Sequence, residues 1–239
     1  MALQRPEKKK KTLPIFFLVD VSGTMKYDRI GAVNIAMRDV VRELKNKIAQ
    51  KNQDINYVIR VLTFGRYGAQ YKYGSLEQGV PLDQYEWTEI SDEECDGYTP
   101  MGECIKLVSQ AFAEGVYPEY LGRYLATPFI LLISDGQPNG DVDVYEATNE
   151  LVATKIGFQS VIVSIGISVD DNQVAKDVLR HFGKSGFALG DGARPEELAA
   201  LIKQITTASI DVASENRSGL KDEENKKKID QIMMTDLVL

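Results

Sequence analysis

Short apolar runs alternate along this chain with longer segments of helical period. The runs are rich in isoleucine, valine and phenylalanine, and they cover residues 15–19, 57–64, 129–134, 160–165 and 187–189. Because the run 15–19 is apolar throughout rather than at alternate positions, it predicts a strand that is covered on both faces and lies centrally in a sheet. The runs 129–134 and 160–165 predict two further interior strands.

The segments between these runs carry apolar residues at the spacing of amphipathic helices. In the first segment they recur every three or four positions, at Ile30, Val33, Met37, Val40, Val41, Leu44 and Ile48. A second helix is predicted to begin near Pro100, because proline suits a first helical position, and to end at Gly115. The remaining helices are predicted over residues 144–156, 174–182 and 196–210.

The alternation of strands with helices predicts the α/β class. We expect a doubly wound, mostly parallel central sheet of six strands that is flanked by helices on both faces. The segment 65–86 is rich in glycine and tyrosine and predicts turns. A short edge strand is predicted to follow at 87–90, and we expect the edge strand of the sheet to run antiparallel.

Length and composition predict one globular domain with a tail at each end. A chain of 239 residues, of which 44% are hydrophobic, can build one full core. We expect a basic N-terminal arm over residues 1–12, the folded domain over 13–213 and a charged C-terminal segment over 214–239. An apolar cluster late in that segment is compatible with an amphipathic helix that docks on the domain or a partner, and equally with a partly ordered tail.

The charge balance argues against two classes of partner. The chain has 28 Lys and Arg against 35 Asp and Glu, a net charge of −7, so we expect no general affinity for nucleic acid or for an anionic membrane.

No apolar run approaches the roughly 20 residues that span a bilayer, and no signal-peptide pattern is present. Cys95 and Cys104 are the only cysteines, which favours a reducing compartment, although one disulfide is compatible with them. We therefore expect a cytoplasmic protein.

Polar residues directly after the first predicted strand form the strongest candidate site. Asp20, Ser22 and Thr24 stand at alternate positions in the stretch FFLVDVSGTM. In an extended backbone, side chains spaced by two point to the same side, so one carboxylate and two hydroxyls can converge. The carboxyl ends of the strands are also where ligands bind in open α/β sheets.

Two later segments add further oxygen donors. Asp135 follows the run 129–134 much as Asp20 follows the first run, and Thr99 precedes the predicted helix start. The set contains only hard oxygen atoms, which suit Mg²⁺, Mn²⁺ or Ca²⁺ rather than zinc. The sequence therefore predicts a divalent-cation site formed by Asp20, Ser22, Thr24, Thr99 and Asp135.

The motifs DVSGTM, GYTPMG and ISDGQP resemble, in their order and intervals, the three parts of the metal-ion-dependent adhesion site (MIDAS) of von Willebrand factor type A (VWA) domains. The resemblance covers roughly residues 13–210. Within that family, LPIFFLVDVSGTM followed by IGAVNIAMRDVVREL is most similar to bacterial intracellular members of the tellurite-resistance TerY type. One position departs from the pattern, because Thr24 stands where serine is usual and its methyl group restricts χ1.

The resemblance also implies roles for the site residues. Ser22, Thr24 and Thr99 would coordinate Mg²⁺ directly, and Asp20 and Asp135 would act largely through bound water. A remaining position on the ion would accept a carboxylate of a partner protein. The chain would then be a protein-interaction module and not an enzyme, in a bacterial stress-response or phosphorylation-signalling system beside a kinase or phosphatase.

Two alternatives stay open. VWA-like modules also serve as adaptors of ATPase and chelatase complexes. In addition, DVSGT after a strand resembles the DxDGT motif of haloacid-dehalogenase-type phosphohydrolases, in which Asp20 would attack phosphorus. Here Ser22 replaces the second carboxylate of that motif, and a serine cannot carry out its proton transfer near neutral pH. Nothing in the sequence orients the single histidine, His181, for a catalytic triad.

The loop before Thr99 is strongly acidic. It carries Asp92, Glu93, Glu94 and Asp96. We expect this loop either to repel an acidic partner while the site holds no metal, or to be an ordinary solvated loop.

Overall fold

The computed structural model describes residues 10–51, 55–113, 125–169, 171–190, 194–215 and 227. Within them, seven strands form one sheet with helices on both faces. The strands are β1 (Lys11–Asp20), β2 (Ile55–Gly65), β3 (Gly68–Tyr73), β4 (Val80–Pro81), β5 (Phe129–Ser134), β6 (Val161–Gly166) and β7 (Gly186–Leu189). The α-helices are α1 (Asp28–Lys51), α2 (Met101–Ala111), α3 (Val144–Ala153), α4 (Lys155–Gln159), α5 (Gln173–Phe182) and α6 (Pro195–Glu215).

The sheet is mostly parallel, and β1 lies near its centre. The strand order is β3-β2-β1-β5-β6-β7, and β4 pairs with β2. Strands β2, β1, β5, β6 and β7 pair in parallel, whereas β3 and β4 run antiparallel to β2. The doubly wound, mostly parallel class is therefore confirmed. Five of the six predicted strands are present, and β3 and β4 are strands that were not predicted.

Alternate residues of β1 face two separate apolar layers. Phe17 and Val19 pack with residues of α1 and α6, whereas Phe16 and Leu18 pack with residues of α2, α3 and α5. Phe16 also makes an edge-to-face contact with Phe112, with ring centroids 5.3 Å apart. A strand that is buried on both faces has no polar side, which is why the first run is apolar at every position.

The carboxyl ends of β1 and β5 form the crevice of the sheet. The connection after β1 leads to α1 on one face, whereas the connection after β5 leads to α3 on the other face. Neighbouring strands whose connections leave to opposite faces open a gap between their ends, and ligands bind there in open α/β sheets. Asp20 is the last residue of β1, and Asp135 directly follows β5. The fold thus brings the two predicted acidic residues to one place.

An edge strand of the sheet runs antiparallel, as predicted, but it lies at a different place in the sequence. The longer antiparallel edge strand is β3, which lies in the segment predicted as turns, and the predicted strand at 87–90 is not formed. The side chain of Asn34 explains the difference, because its Nδ2 donates to the C=O of Ile90 at 2.8 Å and its Oδ1 accepts the N–H of Ile90 at 2.9 Å. Trp87 Nε1 donates to the same Oδ1 at 3.1 Å. A helix side chain therefore makes hydrogen bonds to the backbone N–H and C=O groups that would otherwise have paired with a neighbouring strand.

The predicted helix 144–156 is also divided. It breaks at Thr154, whose backbone is extended and whose Oγ1 accepts the N–H of Gly157 at 2.9 Å. Threonine is favoured at such a helix N-cap, so the segment continues as the separate short helix α4.

Some predictions fall outside the described residues. These are the helix end at Gly115, most of the N-terminal arm and the apolar cluster late in 214–239. The domain limits 13–213 accordingly stay a prediction. Among the described helices, none combines the length and the apolar character needed to cross a membrane.

Asn34→Ala should destabilise the domain, because it leaves the buried N–H and C=O of Ile90 without partners. We expect the free energy of unfolding to fall by about 2 kcal/mol, together with a change in the fluorescence of Trp87, the single tryptophan. Urea denaturation followed by this fluorescence measures both quantities. Asn46→Ala, at an exposed position of the same helix, is the matched control. Equal stability of the two variants would contradict the role given to Asn34.

Candidate metal centre

The predicted site residues lie on three loops at the carboxyl edge of the sheet. Ser22 and Thr24 follow β1, Thr99 precedes α2, and Asp135 follows β5. Asp20, Ser22, Thr99 and Asp135 are buried, with 0% to 8% of their surface exposed, and Thr24 is exposed. Four of the five site residues are therefore buried, and one hydroxyl residue lies at the surface.

A chain of hydrogen bonds links the first motif to the third. Thr24 Oγ1 donates to Asp135 Oδ1 at 2.9 Å. Ser22 Oγ lies 3.1 Å from Thr24 Oγ1, and Ser22 is the donor in that pair because the single hydroxyl proton of Thr24 is directed at Asp135. The threonine at the usual serine position thus keeps its hydroxyl in the site.

The carboxyl group of Asp20 has no exposed surface, and both of its oxygens accept hydrogen bonds. Oδ1 accepts the N–H of Ser22 at 2.8 Å, and Oδ2 accepts the hydroxyl of Ser134 at 2.5 Å. Burial raises the pKa of Asp20 from 3.8 to about 7, although these hydrogen bonds act in the opposite direction. Without metal, the group is therefore only partly ionised near neutral pH.

Thr99 is held in place through its backbone. Its N–H donates to Asn139 Oδ1 at 2.6 Å, and the N–H of Asn139 donates back to its C=O at 3.2 Å. A methyl group on Gly136 would lie 3.7 Å from Thr99 Oγ1. The hydroxyl of Thr99 therefore lies beside the residue that follows Asp135.

A cation that the motifs did not predict also contacts this site. Arg29, in the first turn of α1, donates through Nη1 to Asp135 Oδ2 and to the C=O of Thr24, the second bond at 2.8 Å. The side chain of Asp135 has no exposed surface, whereas that of Arg29 is 34% exposed. Both oxygens of Asp135 are therefore occupied, one by Thr24 and the other by Arg29.

Backbone hydrogen bonds fasten the surrounding loops to one another. The N–H of Asp96 donates to the C=O of Val21 at 2.9 Å, the N–H of Arg66 to the C=O of Asp96 at 2.8 Å, and the N–H of Gly23 to the C=O of Gly97 at 3.3 Å. Gly97 has a φ of +76°, and a methyl group on it would lie 2.6 Å from Arg66 Cα. Glycine is therefore required where these loops approach each other.

Two of the four acids in the loop before Thr99 are paired with cations within the structure. Three of its acids have partners: Asp96 pairs with Arg66, Glu94 pairs with Lys72, and Asp92 accepts the N–H of Tyr27. Acidic groups that are paired in this way repel an approaching anion only weakly. The geometry thus favours an ordinary surface loop over the expected repulsion of a partner.

Three residues that contact the predicted donors were missed by the sequence analysis. They are Ser134 on Asp20, Asn139 on Thr99 and Arg29 on Asp135. Ser134 and Asn139 lie in the stretch LLISDGQPNG, where an asparagine in a turn rich in glycine and proline is a signal for side-chain bonds to the backbone. No local signal marks Arg29, because its partner is 106 positions away along the chain.

The donor set fits a hard divalent cation. Carboxylate and hydroxyl oxygens meet at the crevice, and such oxygens are the preferred ligands of Mg²⁺, Mn²⁺ and Ca²⁺. Cys95 and Cys104 are buried free thiols whose pKa is raised by burial, and His181 lies in the last turn of α5 against the ring of Tyr145. In the part of the chain that the structure describes, no cluster of three or more His, Cys, Asp or Glu residues is suited to a metal. The predicted centre is not of that kind, since it has two carboxylates and three hydroxyls.

Comparison with known proteins finds similarity in structure. No family model and no curated protein matches the chain. Proximal thread matrix protein 1 from the mussel byssus aligns over 82% of this chain and 48% of its own, with 17% identity and a TM-score of 0.54. A structure of the same protein described with a zinc-occupied MIDAS motif aligns over the same shares, with 17% identity and a TM-score of 0.53. The pilus adhesin SpaC from Lactobacillus rhamnosus GG aligns over 94% of this chain and 31% of its own, with 14% identity and a TM-score of 0.55.

The fold is VWA-like. This confirms the fold that the three motifs implied. Identities of 14% to 17% show a shared fold alone, and this chain spans less than half the length of each of these three chains. The relationship to TerY-type proteins stays a prediction.

Asp20→Asn should remove a pH-dependent loss of stability from the metal-free protein. The pKa of Asp20 is about 7 in the folded state against an ordinary value of 3.8, so the folded state favours the protonated group. The stability that this protonated group contributes is complete below about pH 4 and is lost as the pH rises through 7. Asparagine stays neutral, and it can accept from the N–H of Ser22 while donating to the hydroxyl of Ser134.

Urea denaturation in chelator, from about pH 5 to pH 8, measures this effect. We expect the stability of the variant relative to the wild type to rise by about 3 kcal/mol between pH 5 and pH 8. Asp141→Asn, at an exposed position, is the control and should show no such gain. A stability difference for Asp20→Asn that does not change with pH would show that Asp20 is ionised throughout.

Proposed function

We propose that this chain is a divalent-metal-dependent protein-interaction module. In this proposal the site binds Mg²⁺, with Mn²⁺ or Ca²⁺ as alternatives, and the ion grips an Asp or Glu side chain of a partner protein. The observation that carries the proposal is the hydrogen-bonded chain of Ser22, Thr24 and Asp135 in the crevice of the sheet. The zinc-occupied MIDAS motif of a protein with the same fold supports a divalent ion, without favouring Mg²⁺ in particular.

The described contacts suit the roles that the family resemblance implies. Ser22, Thr24 and Thr99 would hold the ion through their hydroxyls, and Asp20 and Asp135 would orient bound water. An ion held mainly by uncharged oxygens keeps most of its charge and attracts a carboxylate. The chain's own contribution is to hold these hydroxyls ready, through the bonds from Asn139 to the backbone of Thr99 and from Thr24 to Asp135.

Exposed tyrosines on the same loops support a protein as the partner. Tyr27, Tyr67 and Tyr98 are 72%, 80% and 42% exposed, and each lies within three residues of the site or of the loops fastened to it. Tyr27 has a φ of +64°, which is rare for a bulky residue, and its N–H is held by Asp92. Strained residues cluster at functional sites, and tyrosine is enriched in protein interfaces.

The burial of Asp20 supports a binding module over a phosphohydrolase. A nucleophilic aspartate must present a free carboxylate oxygen to its substrate. Asp20 has no exposed surface, and both of its oxygens accept hydrogen bonds, from Ser22 and Ser134. Its raised pKa further reduces the ionised fraction that could attack. We therefore propose that the protein is not an enzyme.

The proposal extends to the cellular location of the interaction and to the class of partner protein. The similarity of the first motif and the following helix to TerY-type proteins favours a cytoplasmic protein in a bacterial stress-response or phosphorylation system, with a kinase or phosphatase as partner. An adaptor role in an ATPase or chelatase complex is the alternative. Both roles use the same metal centre, and the described surface favours neither.

Thr24→Val should strongly weaken binding of the divalent cation, because it removes the hydroxyl while it keeps the shape of the side chain. Thr24→Ser is the matched control, since it keeps the hydroxyl and removes the methyl group. Calorimetric titration of metal-free protein with Mg²⁺, Mn²⁺ and Ca²⁺ should show one site in the wild type and in Thr24→Ser. We expect affinity at least about 100-fold weaker in Thr24→Val.

The same samples test the enzyme alternative. Hydrolysis of a generic phosphomonoester should be undetectable in these three proteins and in Asp20→Asn, which is assayed beside them. Metal-dependent turnover that is lost in Asp20→Asn would overturn the binding-module proposal. Equal metal affinity in Thr24→Val and Thr24→Ser would place the ion elsewhere.

A further inference from the structure

Arg29 contacts two of the five predicted site residues at once. Its Nη1 donates both to Asp135 Oδ2 and to the C=O of Thr24. Arg29 is the second residue of α1, so its backbone is anchored in a helix while its side chain reaches into the crevice. The contact is therefore built into the fold and does not depend on a mobile terminus.

The ion pair supplies the charge that a buried carboxylate requires. The side chain of Asp135 has no exposed surface, and a carboxylate removed from water is strongly destabilised unless a cation or several hydrogen bonds compensate it. Arg29 provides the compensating charge, and Thr24 provides a hydrogen bond to the other oxygen. The side chain of Arg29 is itself 34% exposed, so its guanidinium group can return to water without crossing the protein interior.

We propose that Arg29 is a tethered competitor of the divalent cation, which neutralises Asp135 in the metal-free protein and is displaced when the ion binds. The inference rests on the proposed metal-dependent function. Arg29 and a divalent cation both require the negative charge of Asp135, and two cations beside one buried carboxylate repel each other. Metal binding is then an exchange of one cation for another, and the affinity is lower than the oxygen donors alone would give.

Competition predicts that removal of the Arg29 charge has opposite effects on the stability of the metal-free protein and on the affinity for the ion. Removing the charge of Arg29 leaves Asp135 uncompensated without metal, so the metal-free protein becomes less stable. The same change removes the competitor, so the ion binds more tightly. A residue that only supports the structure would weaken both states, and a residue that only positions Asp135 would weaken metal binding.

The test uses Arg29→Gln with Arg38→Gln as the matched control. Arg38 lies on the same helix and pairs with Glu89 at the surface, with 55% of its side chain exposed. Calorimetric titration with Mg²⁺ should show affinity about tenfold tighter than wild type in Arg29→Gln, the effect of one charge-assisted hydrogen bond, and unchanged affinity in the control. Thermal melting in chelator should give a lower Tm for Arg29→Gln, and saturating Mg²⁺ should raise its Tm by more than it raises that of the wild type.

Each outcome decides between the possibilities. Unchanged or weaker Mg²⁺ affinity in Arg29→Gln, with binding retained in the wild type, overturns the competition and leaves the metal centre intact. Absence of binding in both proteins overturns the metal centre and the inference with it. If Arg29→Gln does not fold in chelator, Arg29→Lys replaces it, since a shorter cation without the guanidinium fork should hold Asp135 less well. Affinity tighter than that of the wild type in Arg29→Lys supports the competition, and affinity at or below the wild-type value overturns it.

Discussion

The structure around the crevice depends on one carboxyl group that is held out of water at the end of the central strand. Oδ1 of Asp20 accepts the N–H of Ser22, which bends the chain as it leaves β1. Oδ2 accepts the hydroxyl of Ser134, the last residue of β5, and so joins the ends of the two strands that form the switch point. A single side chain therefore fixes both the turn that carries Ser22 and Thr24 and its position relative to Asp135.

The loops beyond that point are tied to one another by hydrogen bonds between backbone groups. Segments after β1, after β2 and before α2 are tied together through Val21, Arg66 and Asp96. Because backbone groups make these ties, they leave the side chains of Tyr27 and Tyr67 free to face solvent. Such an arrangement combines fixed geometry with an adaptable surface, which suits the proposed role of presenting an ion to another protein.

The sequence predicted those features that rest on local pattern. The interior strands are apolar on both faces, so the runs at 15–19, 129–134 and 160–165 were recognisable, and the strand-end acids Asp20 and Asp135 followed from them. The edge was mispredicted because Asn34, far away in α1, takes the backbone bonds of Ile90. Arg29 was missed for the same reason, since its partner Asp135 is 106 positions away and no local sequence pattern indicates the contact. Contacts between distant side chains are set by the folded topology and cannot be read from spacing.

The buried carboxylates of Asp20 and Asp135 lie at one edge of the sheet and would repel each other if both were charged. The fold compensates each of them in a different way. Burial raises the pKa of Asp20 to about 7, so part of its charge is removed by protonation. Asp135 is instead paired with Arg29, a cation carried by the adjacent helix. A divalent ion would replace both arrangements, because it favours the ionised form of Asp20 and takes the place of the guanidinium at Asp135. Internal compensation of this kind offsets the cost of burying both carboxylates without metal. In the proposed exchange, the proton and the arginine are therefore the two groups against which an ion must compete.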